Sequence, residues 1–557
     1  MNMNDLILYE EPRIGVFVCD CGSNIAGHLD CADVAEYAKT LPNVVYVKEN
    51  LYTCSEAGIV EIKKAIKGQN LNRVVVASCS PRTHQPLFSS SCAEAGLNPY
   101  LFEMVNIRDQ CSWVHMGKRD DATQKAKELI RMGVAKSAGL EPREEIESSL
   151  VRKVLVMGGG IAGLSAAQAL ADMGLDIILV EKTPDFGGLL QQVHQLDTGG
   201  SAQALLSKII DDVRSRPNIT CYTKASVKET GGYIGNFDIK IDTQNGLIED
   251  RVGCIVVATG AVPLIPKGLF GYNGKDVISL MELEQKLKKD DLTAKRIVFI
   301  QCAGARNKER EYCSRICCMI GVKNAMVVKE KYPLIDVRIL YRDMQMYGTH
   351  KEQMLWDARG KGIQFDVYSP DNPPEVKDGK VSFFQTITGK TIDLDTDLIV
   401  LSTPLVPRSD APTVANMMRV PTDQNGFFLE AHAKLRPLDF AADGIFVCGS
   451  GRYPATSTEA RTQGLGVASR VAAILFKDKL VKSAIVAQIN PDSCVGCMAC
   501  LTMCPYEAIT YNRDKRICEI NEILCKGCGT CAATCPSHTA QLCGYKPEQL
   551  LAQIGAA

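Results

Sequence analysis

At 557 residues, with 46% hydrophobic and 23% charged side chains, the chain is globular in composition and too long for one ordinary core, so three or four domains are expected. A formal net charge of −1 argues against nucleic acid or an anionic membrane as a partner. No run approaches the roughly 18 apolar residues of a membrane span; residues 254–266 and 297–300 are short and strand-like. The start, with Asp5, Glu10 and Glu11 and no apolar region, does not read as a signal peptide, so a cytoplasmic location is expected. The 24 cysteines are clustered, and in a reducing compartment that points to metal rather than disulfides. Burial as small hydrophobes suits Cys221, Cys254 and Cys448 but not the tight groups.

In chain order, residues 1–140 alternate strand and helix. Strands are expected at 13–18, 44–47, 73–77 and 100–105, with helices near 33–40, 59–67 and 84–95, which gives a small α/β domain with a largely parallel sheet. Cys19 and Cys21 follow the first strand, Cys54 the second and Cys79 the third, while Cys111 follows the fourth more distantly. Ligand sites in open α/β sheets lie beyond the carboxyl ends of the strands, so these thiols are placed to converge. Cys31 and Cys92 read as core residues on helix faces, and a purely structural role for all seven is the alternative. Arg82, His84 and His115 lie near these thiols and read as ordinary surface or capping residues. Residues 136–149 read as a solvated linker.

A flavin-type domain is expected over 151–290 and 391–480. An apolar run ending at Met157 leads directly into Gly158-x-Gly160-x-x-Gly163, then a helical pattern over 161–173, then a strand over 176–180 ending in Glu181. In this fingerprint Gly158 makes the turn, Gly160 admits a pyrophosphate, Gly163 packs helix on strand and Glu181 accepts from a ribose hydroxyl. An apolar strand ending in Ala258-Thr259-Gly260 and another ending in Cys448-Gly449 resemble segments of thioredoxin reductase-like flavoproteins, which implies FAD. The candidate cofactor set is Gly158, Gly160, Ile161, Ala162, Gly163, Glu181, Lys182, Gly188, Leu189, Ala258, Thr259, Gly260, Gly449 and Ser450. Ser450 stands where such flavoproteins carry an acid that contacts the ribityl chain.

Residues 291–390 are expected as an inserted domain. In such reductases it carries a second glycine fingerprint for a nicotinamide cofactor, but here the strand at 295–300 runs into Cys302, Cys313, Cys317 and Cys318. A [4Fe–4S] cluster on these four thiols is the favoured reading, a one-electron carrier in place of a hydride donor. A vicinal disulfide or thiol redox pair at Cys317-Cys318 is the alternative.

Residues 485–545 hold two Cys-x2-Cys-x2-Cys-x3-Cys-Pro runs and resemble a bacterial two-cluster ferredoxin. With this spacing the fourth cysteine of each run serves the other cluster. Cys494, Cys497, Cys500 and Cys535 are therefore expected on one [4Fe–4S] cluster, and Cys525, Cys528, Cys531 and Cys504 on the other. Zinc is the alternative for any isolated Cys-x2-Cys, but tandem four-cysteine runs followed by prolines argue against it. Cys518 and Cys543 fall outside the pattern.

Cys-x10-Cys-x3-Cys-Cys inside a thioredoxin reductase-like flavoprotein, joined to a two-cluster ferredoxin segment, resembles the A subunit of heterodisulfide reductase over nearly the whole chain. The fold class expected is therefore multidomain α/β: an N-terminal α/β domain, a thioredoxin reductase-like FAD domain with a cluster-bearing Rossmann-like insert, and a C-terminal 2[4Fe–4S] ferredoxin domain. The motifs around Cys19-Asp-Cys21, Thr53-Cys54-Ser and Ser78-Cys79-Ser also resemble that protein's N-terminal domain, which implies a fourth [4Fe–4S] cluster on Cys19, Cys21, Cys54 and Cys79, with Cys111 in reserve. The resemblance further implies a homodimer in a larger complex. Its partners would be heterodisulfide reductase B-like and C-like subunits, the adaptor protein of a hydrogenase or formate dehydrogenase, and ferredoxin. The implied activity is that of an oxidoreductase whose flavin bifurcates electrons between ferredoxin and a heterodisulfide. Family members carry Gly-Pro-Lys-Asp-Ile after the last FAD strand, with the lysine near the isoalloxazine; this chain reads Gly451-Arg-Tyr-Pro-Ala-Thr-Ser457, without it. Two readings compete: an electron-wiring subunit that does not bifurcate, and an NAD(P)H-dependent iron–sulfur flavin reductase, the second weakened by the missing nicotinamide fingerprint.

Overall fold

The computed structural model describes residues 11–557, so Asp5 and Glu10, on which the expected lack of a signal peptide partly rests, lie outside the described residues. Among the described residues no helix is long and apolar enough to cross a membrane. The chain divides into two compact units: the N-terminal segment up to Glu147 together with Val481–Ala557, and Ser148–Leu480.

In the first unit, the strands Ile14–Cys19, Val44–Asn50, Arg73–Ser78 and Phe102–Asn106 form one wholly parallel sheet in the spatial order second, first, third, fourth. The two central strands are buried along their whole length, as near-continuous Val/Ile runs are when helices cover both faces. Cys31–Ala38 and Arg119–Ala138 cover one face, and Glu56–Gly68 and Pro81–Glu94 the other. Ser55 caps the helix after Cys54 by accepting from Gly58 N at 3.2 Å, and Pro81 opens the helix after Cys79. The expected linker at 136–149 is corrected at its start. Lys136 lies inside the helix Arg119–Ala138, buried, and donates to both oxygens of Glu103 at 2.9 Å. A solvated reading failed because the ammonium is neutralised by a residue 33 positions away. Burial still pushes the Glu103 carboxyl up, with Lys136 opposing it. Lys136→Ala leaves that carboxylate buried without its cation and is expected to destabilise this unit by about 3–5 kcal/mol, read as a lower urea midpoint.

The ferredoxin segment joins the same unit. It pairs Ala487–Ile489 with Ala540–Leu542 and Ile509–Asn512 with Ile517–Ile520, both antiparallel. A helix beyond its expected end, Pro547–Gly555, lies along Arg119–Ala138. Gln549 Nε2 donates to Gly139 O at 2.7 Å, Lys546 pairs with Glu141 at 2.6 Å, and Ala484 N donates to the Tyr100 hydroxyl at 2.8 Å.

In the second unit, Lys153–Met157 is flanked on one side by Asp176–Val180 and then Ile219–Tyr222, and on the other by Cys254–Val257 and then Ile445–Val447, all parallel. The insert has its own parallel sheet, ordered Val277–Ser279, Leu398–Leu401, Arg296–Ile300, Asp336–Tyr341, Gln364–Val367. Two of its strands, Val277–Ser279 at one edge and Leu398–Leu401 beside it, fall before 291 and after 390, so the insert is wider than expected and takes Leu398–Leu401 from the flavin segment. Val277–Ser279 is only three residues long, too short to register as a periodic element in sequence.

All three parallel sheets contain a point where the direction of winding reverses. It lies between Ile14–Cys19 and Arg73–Ser78, between Lys153–Met157 and Cys254–Val257, and between Arg296–Ile300 and Leu398–Leu401. At such a point the loops leaving adjacent strands diverge and open a crevice at the carboxyl ends.

Candidate functional site

At the flavin sheet's reversal point the first strand ends in Gly158, whose φ of 108° and closeness to Ala258 exclude a side chain: a Cβ would stand 2.4 Å from Ala258 O. Gly163 packs the following helix onto that turn, with room for no Cβ against Gly158 O. Gly160 is different. Nothing lies within 4 Å of the place its Cβ would take, and it caps the helix Ile161–Asp172 without a side chain, leaving the first-turn N–H groups facing open space. The buried Glu181 carboxylate is aimed by its own backbone, accepting from Gly159 N at 2.7 Å and from Thr183 N and Oγ1 at 2.8 Å.

That space is a cavity of about 740 Å³. Every residue of the candidate cofactor set lines it except Gly163, which holds the turn from behind. Its far wall comes from the insert, including Glu284, Ile316, Met319, Ile320 and Lys323. Lys323 and Glu284 form a buried ion pair; Lys323 also donates to Gln195 O at 2.7 Å and Glu284 accepts from His194 N at 2.8 Å. Burial draws the Lys323 ammonium below the ordinary lysine value. A glycine cradle open to a phosphate, an uncapped helix N-terminus and a carboxylate at the end of the second strand fit FAD.

At the insert's reversal point, Cys302 follows its strand in the left-handed region at φ 59°, a conformation that costs a non-glycine residue energy and gathers at functional sites. Cys317 and Cys318 open the helix Cys317–Lys331. Cys317 Sγ lies 3.6 Å from Thr403 O, across the reversal point, and Cys313 Sγ accepts from Arg315 N at 3.3 Å. Burial pushes the thiols of Cys302, Cys317 and Cys318 up, that of Cys318 to about 11, and each is raised further by others of the set. Thiols gathered so closely resist ionising beside one another, and bound iron relieves that cost. The fully buried side chains of Gln301 and Ser402 have no hydrogen-bond partner among the described residues. The same helix thus carries two of these thiols at its start and Met319, Ile320 and Lys323 on the cavity wall.

At the N-terminal reversal point Cys19, Cys21, Cys54 and Cys79 come together. Burial raises Cys21, Cys54 and Cys79, and the Cys19 thiol raises all three further; Cys19 Sγ accepts from Thr53 N at 3.4 Å. The buried Thr53 Oγ1 has no hydrogen-bond partner among the described residues. Arg108 faces Cys21 and Cys79, paired with Asp109 at 2.9 Å and stacked 4.8 Å from the Trp113 ring. Cys111 points away, donating to Ala122 O at 2.9 Å in the core.

The ferredoxin thiols separate into two cavities. Cys494, Cys497, Cys500 and Cys535 line one, and Cys504, Cys525, Cys528 and Cys531 the other. The Thr530 hydroxyl and N–H hold the Cys528 thiol below its ordinary value. Among the described residues no three His, Cys, Asp or Glu side chains close on a single metal ion; here the thiols surround a void, the arrangement a cubane needs.

Several contributors carry no motif. Arg108 and Arg342 bring positive charge to thiols from distant loops and Arg306 from within the loop that follows Cys302, and Lys482 donates to the carbonyls of Glu522, Ile523 and Cys525 at the start of the second run. Cys518, buried, joins the wall of the first ferredoxin cavity. Only its extra thiol, lying between the two runs, could have drawn notice.

Residues 152–464 match the pyridine nucleotide-disulphide oxidoreductase family, and residues 473–539 match the 4Fe-4S dicluster domain. The chain is 37% identical to an iron-sulfur A subunit of the CoB--CoM heterodisulfide reductase of Methanopyrus kandleri, over 90% of this chain and 91% of that one. The chain belongs to the family of heterodisulfide reductase A subunits. It is also 36% identical, with the same coverage, to the A subunit of the H(2):CoB-CoM heterodisulfide,ferredoxin reductase of Methanothermobacter marburgensis. Among solved structures it is similar to T. acidophilum thioredoxin reductase, at 16% identity and a TM-score of 0.41, over 58% of this chain and 98% of that one. As a member of this family the protein is an oxidoreductase, an FAD- and [4Fe–4S]-dependent electron-transfer protein.

Proposed function

We propose that this chain is the flavin-centred subunit of a heterodisulfide reductase-like complex, taking electrons from a two-electron donor and bifurcating them between ferredoxin and a disulfide acceptor. FAD exchanges electrons in pairs whereas [4Fe–4S] clusters pass them singly, so the two together split or combine pairs. The observation that carries the reading is the thiol set Cys302, Cys313, Cys317 and Cys318 at the insert's reversal point, on a helix whose next turn lines the flavin cavity.

In this reading Gly158, Gly160 and the N-terminus of Ile161–Asp172 receive the pyrophosphate, and Glu181 accepts from the adenosine ribose. Gly449 and Ser450 lie along the ribityl chain, Gly449 N being oriented by Gln463 Oε1 at 2.8 Å. Cys19, Cys21, Cys54 and Cys79 hold a further cluster, and the two ferredoxin cavities hold one each. The relatives are named as A subunits of heterodisulfide reductases, one of them also a ferredoxin reductase, which supports further subunits and ferredoxin as partners; two copies of this chain in the assembly belong to the same proposal.

A second reading, wiring without bifurcation, is favoured by one observation. The segment Gly451–Ser457 carries no lysine, and Arg452, its only cation, is turned into a pair with Glu430 at 2.7 Å. Redox titration separates the two: bifurcation needs the two one-electron steps of the flavin in inverted order, and an ordinary order favours plain wiring. For the cofactor content, anaerobically purified protein is expected to carry about sixteen irons per FAD, and neither NADH nor NADPH is expected to bleach the flavin. About eight irons, or rapid bleaching by NADPH, would count against the proposal.

A further inference from the structure

We propose that Arg315 is a positioning residue that holds the Cys302–Cys318 cluster against the flavin cavity and sets that cluster's potential. The inference rests on those four thiols being cluster ligands.

Arg315 lies in the ligand loop, between Cys313 and Cys317, and its backbone and side chain act on different parts of the second unit. Its N–H donates to Cys313 Sγ at 3.3 Å, a contact that stabilises negative charge on a ligand sulfur. Its guanidinium leaves the loop for the flavin domain, donating to Pro454 O at 3.2 Å and pairing with Glu459 at 2.8 Å. It is also clamped between two rings, 4.7 Å from that of Tyr453 and 5.2 Å from that of Tyr347. The opposite partners are parts of the cavity rim. Glu459 closes the capping box with Thr456, and Thr456 and Ser457 line the cavity. The Tyr453 hydroxyl accepts from Gln463 Nε2 at 3.2 Å, and the same Gln463 holds Gly449 N. Arg452, tied to Glu430, stacks on Tyr453 at 4.6 Å. This stack occupies the segment where the family's lysine is missing.

The backbone shows what the clasp costs. Arg315 sits at φ 64°, a left-handed conformation unfavourable for a side chain with a Cβ. A loop that only had to deliver Cys313 and Cys317 would be served better by glycine there. The guanidinium is what glycine cannot supply.

This gives a test whose variants are built to fold. Arg315→Gly suits the backbone, keeps the N–H on Cys313 and removes only the clasp. Glu459→Gln keeps the capping box, which accepts glutamine, and removes only the charge that offsets the guanidinium. Redox titration followed by electron paramagnetic resonance of the full-length holoprotein is expected to move the insert cluster in opposite directions. R315G removes the cation carried two residues from Cys313 and shifts the potential negative; E459Q leaves that cation unbalanced and shifts it positive. Arg315→Lys, which keeps the charge, is expected to return most of the R315G shift, while the two ferredoxin clusters stay where they are. Shifts of the same sign in R315G and E459Q, or none in either with iron and FAD at parent levels, would overturn the proposal. If the unsubstituted protein shows no insert-cluster signal, the ligand reading falls and this inference with it; a signal that is present but unmoved removes the inference alone.

Discussion

Replacing Cys535 with alanine is expected to remove the cluster served by Cys494, Cys497 and Cys500, not the one beside its own run. The cavity that Cys535 lines is theirs, and Cys504 likewise lines the cavity of Cys525, Cys528 and Cys531. The crossing follows from short-range geometry. Each run closes on a single helical turn, Ala499–Met503 or Thr530–Thr534, and its fourth cysteine caps that turn's end, with Pro505 or Pro536 forcing the chain onward. A thiol one turn along cannot fold back to its own run, but it reaches the neighbouring one because the two short helices pack side by side. Double variants read the crossing directly. Cys535→Ala with Cys497→Ala strikes one cluster twice and should leave about twelve irons of about sixteen; Cys535→Ala with Cys528→Ala strikes two and should leave about eight. Equal iron loss in the two pairs would reject the crossed assignment, and the reverse order would establish uncrossed ligation.

Much of this architecture was legible because its parts are local. The strand at 176–180 and the helix from Ile161 are found where the fingerprint places them, since turn, helix start and acid lie within some two dozen residues. The N-terminal strands match to within a few residues for a similar reason: the two central ones, Ile14–Cys19 and Arg73–Ser78, are fully buried apolar runs that end at a cysteine- or serine-bearing loop. What stayed hidden depends on partners distant in sequence. Lys136, on a helix, read as solvated because its carboxylate is on a strand 33 residues away. Arg108 and Arg315 had no motif because their meaning is the group they face, a thiol in one case and a helix cap in the other. Val277–Ser279 was invisible at three residues, although it completes the insert's sheet. Cys111, kept in reserve because it follows a strand only distantly, is buried with its thiol donating to the Ala122 carbonyl in the core.

Gly160→Ala is expected to yield a folded protein that has lost its flavin. The distinction among the three fingerprint glycines is one of distance. A Cβ on Gly158 or Gly163 would collide with backbone, at 2.4 Å from Ala258 O in the first case and 1.9 Å from Gly158 O in the second, so alanine at either forces strand and helix apart. A Cβ on Gly160 meets nothing within 4 Å, so the protein alone gains a methyl group without strain. That methyl projects into the space at the uncapped N-terminus of Ile161–Asp172, where a pyrophosphate must approach the backbone to accept from its N–H groups. Pushing the phosphates back by a methyl radius weakens hydrogen bonds to charged oxygens, and a loss of about 100-fold in FAD affinity, ~2.7 kcal/mol, is the expected scale. The measurement is flavin released on denaturation, set beside the thermal transition and the iron content. Gly160→Ala should keep the parent's irons and melt where the FAD-free parent melts, with FAD depleted, whereas Gly163→Ala should melt below the FAD-free parent and lose its flavin as well. Parent-level FAD in Gly160→Ala would mean that the dinucleotide does not lie against this turn, and the orientation assigned to the whole cavity would have to be reversed.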